Sequence, residues 1–245
     1  LTALFAAAIA LLLALPSLAS ADPLGSVSTC KSGIRETAFT KIVTAGPDGN
    51  VWFVDPKTIA GTPEIGKITP ECTITEYEVS GLNEGSDLVA ITAAPGGEKK
   101  LWLTDKGTTP AIAVVNTASP GAATEYSTGL NPGAKPEGIV AGPDGNLWFA
   151  DSGTTPTIGK IDPVTGAIEE CSPGLGEGSA PRGITVGPDG NLWFTDGGAT
   201  RAIGKVTPEC AITEYPTGEN SEPGGTNAEV GPWGIAPGAD GNVWY

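Results

Sequence analysis

The residues best placed for chemistry are those that vary where the rest of the chain repeats. The phrase Pro-x-Gly-Ile occurs as Pro136-Glu-Gly-Ile139, Pro181-Arg-Gly-Ile184 and Pro232-Trp-Gly-Ile235. Its variable position holds an acid (Glu137), a cation (Arg182) and an indole (Trp233); the matching positions earlier in the chain are Lys41 and Val89. Such a set marks a ligand-facing surface, with solvated surface residues as the alternative. A second set is constant. Asp55, Asp105, Asp151 and Asp196 each stand three residues after a tryptophan. Four carboxylates on one rim would form a negative field able to hold Mg²⁺ or Ca²⁺, which prefer oxygen ligands. Alternatively, each Asp accepts backbone N–H groups in its own loop and stops the strand. Lys67, Lys160 and Lys205 recur after Ile-Gly and are expected to pair with acids of neighbouring strands. The chain has no His and no Cys-x-x-Cys, so no zinc or thiol-catalysis site is recognisable.

The elements that must position these residues come from one repeated phrase. It reads Ala45-Gly-Pro-Asp-Gly-Asn-Val-Trp-Phe-Val-Asp55, and again from Ala141 to Asp151 and from Val186 to Asp196. A looser copy runs from Ala94 to Asp105, and a fifth begins at Pro237 and reaches Tyr245. The tryptophans at 52, 102, 148, 193 and 244 set a period of 45 to 51 residues. A period in that range, with a strand–turn–strand phrase inside it, predicts the blade of a β-propeller.

Within a unit, Gly183-Ile-Thr-Val186 suits a buried inner strand. Pro188-Asp-Gly-Asn191 is a tight turn, because Asp-Gly and Gly-Asn supply the positive φ of a primed hairpin. Leu192–Thr195, Ala202–Val206 and Ala211–Tyr215 follow as strands. This turn joins two strands and leads to no helix, so it is not a phosphate loop. The fold expected is all-β: a propeller of four-stranded antiparallel blades, with four complete blades and the start of a fifth from a ring of about six or seven. A four-bladed ring with an extra closing hairpin is the alternative. The units span about 39–79, 88–128, 136–173, 181–217 and 233–245. Each repeated Trp is expected to pack between neighbouring blades, burying about 150–250 Å².

Residues 1–21 read as a secretory signal: a nearly continuous apolar run to Leu15, then the cleavage pattern Ala19-Ser-Ala21. It lacks an initiator Met and a basic start, so both termini of the sequence read as clipped; residues 22–38 are a lead-in. The 36 Gly and 22 Pro sit mostly at repeat positions and act as turn punctuation. A net charge of −15 repels nucleic acid and suits an exported protein, or a cationic ligand or metal. No membrane span is expected after signal cleavage, and the protein is expected to be monomeric. Four cysteines in an exported chain suggest two disulfides. Cys72 and Cys210 hold the same repeat position, which disfavours pairing them with each other. Cys30–Cys72 with Cys171–Cys210 is preferred among the three connectivities.

The repeat Gly187-Pro-Asp-Gly-Asn-Leu-Trp-Phe-Thr-Asp196, Ile203-Gly-Lys-Val206 and Ile212-Thr-Glu-Tyr-Pro216 resembles that of the virginiamycin B lyase family. Its wider relatives are the NHL, gluconolactonase and strictosidine-synthase-like propellers. The resemblance covers about residues 39–245. It implies a ring of about seven blades and a Mg²⁺-assisted elimination that opens a cyclic depsipeptide at its ester, with a His base and acidic metal ligands. This sequence has no His, so no catalytic base carries over. Glu137 stands at a loop position of the right kind, without being assigned as a ligand of the metal. The expectation is a secreted, lyase-like propeller that binds a small-molecule or peptide-like ligand. The alternatives are a metal-dependent carbon–oxygen lyase or lactonase, or a structural propeller of a cell-surface assembly.

Overall fold

A computed structural model describes residues 29–30, 32–34, 40, 42–55, 62–171, 174–218 and 231–245. The signal segment 1–21, most of the lead-in and Lys41 lie outside the described residues. The chain folds as four antiparallel four-stranded sheets followed by a two-stranded one. The first blade holds β1 (Val43–Ala45), β2 (Val51–Asp55), β3 (Glu64–Ile68) and β4 (Ile74–Glu78). The second holds β5 (Leu88–Ala93), β6 (Lys100–Asp105), β7 (Ala111–Asn116) and β8 (Ser119–Tyr126). The third holds β9 (Pro136–Ala141), β10 (Leu147–Asp151), β11 (Thr157–Ile161) and β12 (Ile168–Cys171). The fourth holds β13 (Pro181–Val186), β14 (Leu192–Asp196), β15 (Ala202–Val206) and β16 (Ile212–Pro216). β17 (Ala236–Pro237) and β18 (Val243–Trp244) form the last sheet. Strands pair in sequence order within every blade, giving a partial β-propeller. Among the described residues no helix is long and apolar enough to cross a membrane.

Three apolar clusters lie between blades rather than inside them. Trp52, Val54 and Ile65 pack against Leu88, Leu101 and Leu103 of the second blade. Trp102 and Ile112 pack against Leu147, Phe149 and Ile161 of the third. Trp148, Ala150 and Ile158 pack against Leu192, Phe194 and Val206 of the fourth. Each tryptophan therefore faces the following blade. Trp52, Trp102 and Trp148 are buried, Trp193 is half-buried against the short last sheet, and Trp244 is 63% exposed.

The repeat phrase explains these joints residue by residue. On the opposite face of each blade Phe53, Phe149 and Phe194 lie over Gly66, Gly159 and Gly204, where a Cβ would overlap the ring. The second blade places Leu103 opposite Ala113 instead, so the smaller side chain admits the methyl group. The turn aspartate does more than close the hairpin. Trp148 Nε1 donates to Asp144 Oδ1 at 3.0 Å, and Trp52, Trp193 and Trp244 bond Asp48, Asp189 and Asp240 in the same way. The second blade has no Asp in its turn, and its Trp102 Nε1 is buried without a partner.

The lysines differ from expectation. Lys67, Lys160 and Lys205 lie directly across the sheet from Trp52, Trp148 and Trp193. Their ammonium groups sit 5.8, 5.3 and 5.8 Å from those rings, in cation–π range. Lys160 also pairs with Glu169 across the ladder at 3.2 Å, where Thr75 and Thr213 occupy the facing position in the first and fourth blades. Cys30 pairs with Cys72 and Cys171 with Cys210. Cys171 stands where the other blades have a Tyr stacked on the Trp, so its disulfide ties the third blade to the fourth.

Candidate functional site

The inner strands β5, β9 and β13 each carry a register shift near their first residues. The Pro-x-Gly-Ile phrase lies in this irregular segment, so its variable side chain leaves the regular ladder. The result is a pocket of about 490 Å³ lined by Thr40, Ile42, Val89, Lys106, Glu137, Arg182 and Trp233, with Gly138 and Gly183. Val89, Glu137, Arg182 and Trp233 thus come together from four successive units. Lys106 joins them, although nothing in the inner-strand phrase announces it. The signal available was its position just after the repeated Asp, where the chain has Lys106, Ser152 and Gly197 in turn.

The three variable residues are not equivalent. Glu137 is tied down: Lys106 Nζ donates to its Oε1 at 3.0 Å and its Oε2 at 3.1 Å, and Ser152 Oγ donates to Oε1 at 3.3 Å. Its backbone carbonyl accepts a bond from Thr104 Oγ1 at 2.6 Å, which joins the second blade to the third. Thr195 repeats this bridge to the carbonyl of Trp233. Arg182 is different. Its guanidinium carbon lies 3.8 Å from the centre of the Trp233 ring, and it donates no hydrogen bond among the described residues. Trp233 is 57% exposed.

The constant aspartates occupy the other side of the rim wall and point inward. Asp55, Asp105, Asp151 and Asp196 are all buried. In the last three, Oδ1 accepts two backbone N–H groups. Asp105 takes those of Asp87 and Gly107 at 2.7 and 2.8 Å. Asp151 takes Lys135 and Gly153 at 2.6 and 2.7 Å, and Asp196 takes Ala180 and Gly198, both at 2.7 Å. These four carboxylates do not share an open face as a cation-holding field would require. Asp105, Asp151 and Asp196 instead each fasten the loop that enters their own blade.

A glutamate on the outer strand completes each clamp. Glu125 lies beside Asp105 and accepts the Asn83 N–H at 2.9 Å; Glu214 lies beside Asp196 and accepts the Gly176 N–H at 2.7 Å. Burial, and then the hydrogen bond and negative charge of the facing Asp, push both glutamates up to about 7 against the pull of the N–H donors. Glu170 and Asp151 are raised in the same way, by burial first and then by a neighbouring charge. A proton on Glu125 or Glu214 relieves the repulsion with the facing Asp105 or Asp196. Sequence reading missed the glutamates because Asp and Glu stand on strands separated by a third. The Ala or Gly row between them (Ala113, Gly204) lets the two side chains meet.

In the first blade the arrangement gains a third acid. Carboxylate oxygens of Asp55, Glu64 and Glu76 lie within 4.8 Å of one another, a donor set compatible with a hard cation. All three also engage other neighbours, and none lines the pocket. Within the pocket itself the residues do not fit Mg²⁺. The single carboxylate there is held by a lysine, and a second cation stands beside it.

No protein-family model matches the chain, and no curated protein matches it in sequence. Solved structures do. A TolB candidate from Agrobacterium tumefaciens superposes with a TM-score of 0.59 at 16% identity, over 84% of this chain and 69% of that one. The periplasmic gluconolactonase of Pseudomonas aeruginosa gives 0.61 at 16% identity, over 82% of this chain and 62% of that one. A protein of unknown function from Bacteroides caccae gives 0.53 at 16% identity, over 75% and 63%. The chain thus spans roughly two thirds of the length of these neighbours. At such identity the likeness is one of fold alone: the neighbours share the β-propeller architecture with this chain.

Proposed function

We propose that this chain is an exported propeller module that recognises a small-molecule or peptide-like ligand in the rim pocket around Arg182 and Trp233. One observation carries the reading. The positions that vary among otherwise alike blades converge on one depression, where a guanidinium with no acid partner among the described residues and an exposed indole are presented side by side. A propeller in which every blade did only structural work would have no need for that divergence. Export is supported by the apolar segment 1–21 with its Ala19-Ser-Ala21 pattern and by the two disulfides.

The test is a thermal-shift screen of the 245-residue chain against a broad small-molecule and dipeptide library, repeated on Trp233→Ala. Hits that disappear in the variant support the reading. A screen in which no compound shifts the melt, or every hit survives the variant, overturns it.

A lactonase or lyase activity of the virginiamycin B lyase type is a second reading, favoured by the repeat phrase and by the gluconolactonase among the structural neighbours. It requires a base and a metal set that the pocket does not supply. Incubation with a lactone and with a cyclic depsipeptide ester, with and without Mg²⁺, decides it. Ring opening that depends on the ion would establish the activity.

A further inference from the structure

The charges in the pocket do not cancel. Lys106 and Glu137 neutralise each other at 3.0 Å, with side chains only 28% and 16% exposed. Among the described residues Arg182 has no such partner, so these residues give the rim a surplus positive charge on a chain whose net charge is −15. The overall charge suggests a cationic ligand; the local arrangement says the opposite. Exposed charges beyond about 8 Å are screened at physiological salt, so a ligand in the pocket responds to Arg182 rather than to the distant acids.

The guanidinium is also positioned. It lies against the Trp233 ring at 3.8 Å. The space that a Cβ on Gly197 would need is taken by its Cζ and Nε, each 2.9 Å from that point. A stacked guanidinium keeps its N–H donors in its own plane, directed past the edge of the ring. That edge matches the two oxygens of a carboxylate. Beside the charged residues the lining is mostly apolar, with Ile42, Val89 and the exposed Trp233 alongside Thr40 and two glycines.

We infer that the pocket takes a small organic monoanion, a carboxylate held edge-on by Arg182 and joined to an apolar or ring-shaped body that rests on Trp233, Ile42 and Val89. The inference rests on the pocket being the ligand site, as proposed above, and adds the chemical class. One unpaired cation matches one negative charge. A phosphate dianion would bring a second charge next to Glu137 with nothing to balance it.

The test is calorimetric titration of the 245-residue chain with four probes: phenylacetate, its neutral amide phenylacetamide, the cation phenethylamine, and inorganic phosphate. Phenylacetate should bind at least about ten-fold more tightly than the other three, the scale of a charge-assisted hydrogen-bonded pair. Arg182→Gln should abolish that preference. Arg182→Lys, which keeps the charge and loses the planar fork, should retain part of it. Unchanged melting curves show that both variants fold. Phenylacetamide, phenethylamine or phosphate binding as tightly as phenylacetate overturns the inference, as does a preference that survives Arg182→Gln. In those cases pocket recognition itself stands, because a ligand still binds. No heat from any probe also overturns the inference, and the library screen with Trp233→Ala then judges the pocket independently.

Discussion

In the first, third and fourth blades one aspartate stands in the turn before the second strand and another ends that strand, and in the third blade the two behave in opposite ways. At the turn end, Asp144 receives three donors: the Asn146 N–H, the Asn146 side-chain amide and the Trp148 indole N–H. Burial raises its pKa, but those donors more than offset it and hold the carboxyl below its ordinary value; Asp48 and Asp189 follow the same balance. At the rim end, Asp151 is buried with Oδ1 saturated by two N–H groups and Oδ2 without a donor. Burial and the Glu137 charge raise it. The residue type is the same and the strand is the same. Asp151 is the more deeply buried and has fewer donors, so its carboxyl is raised where that of Asp144 is lowered.

The sharpest way to break the comparison is at the ring that connects the two ends. Trp148→Ala removes a buried indole from a blade joint and should cost about 3–5 kcal/mol of stability. The equivalent Trp244→Ala should cost under about 0.5 kcal/mol, because that ring is exposed. Equal losses in denaturant melts would refute the joint assignment. The rim end comes next. Asp151→Ala leaves the Lys135 and Gly153 N–H groups without an acceptor and should cost about 2–4 kcal/mol. Asp151→Asn keeps the acceptor and offers Glu170 a donor, so it should cost far less; if both variants lose the same, the clamp is not what Asp151 provides. At the turn end, Asp144→Ala should cost about 1 kcal/mol. The second blade already lives without this bond, as its unpartnered Trp102 Nε1 shows.

The smallest effect is the dependence on pH. Glu125 and Glu214 sit near 7 in the folded chain and near 4.3 in an unfolded one, so folding takes up protons. Their stabilisation is complete below the unfolded value and is lost as pH rises through about 7. The turn aspartates work the other way and lose theirs as pH falls below about 4. The melting temperature should therefore decline by a few degrees between pH 5.5 and pH 8. Glu125→Gln with Glu214→Gln should flatten that slope and raise the melt at pH 8. A slope unchanged in the double variant would show that these pairs do not titrate as described.

Much of the architecture was legible along the chain. The recurring Trp and the Asp-Gly turn carry the strand order of every blade, because hairpin chemistry is local and needs only neighbouring residues. The equivalence of Cys72 and Cys210 favoured the pairing found. The Pro-x-Gly-Ile phrase located Glu137, Arg182 and Trp233 on one rim, since equal positions in equal units must lie at equal heights around an axis.

Their separate roles were not legible. Glu137 is occupied because Lys106 reaches it from the preceding blade, and Arg182 is open because Gly197 makes room for it beside Trp233. The acid pairs were hidden too, since Asp196 and Glu214 read as unrelated acids until a glycine row brings them face to face. Periodicity in the sequence determines what each blade is, because each blade is built by contacts within itself. Only the tertiary structure, within a blade and between blades, decides which charges find partners, which acids lose their water, and which side chains are left for a ligand. Those outcomes depend on distances between residues apart in the chain, such as the 31 positions that separate Lys106 from Glu137 on neighbouring blades.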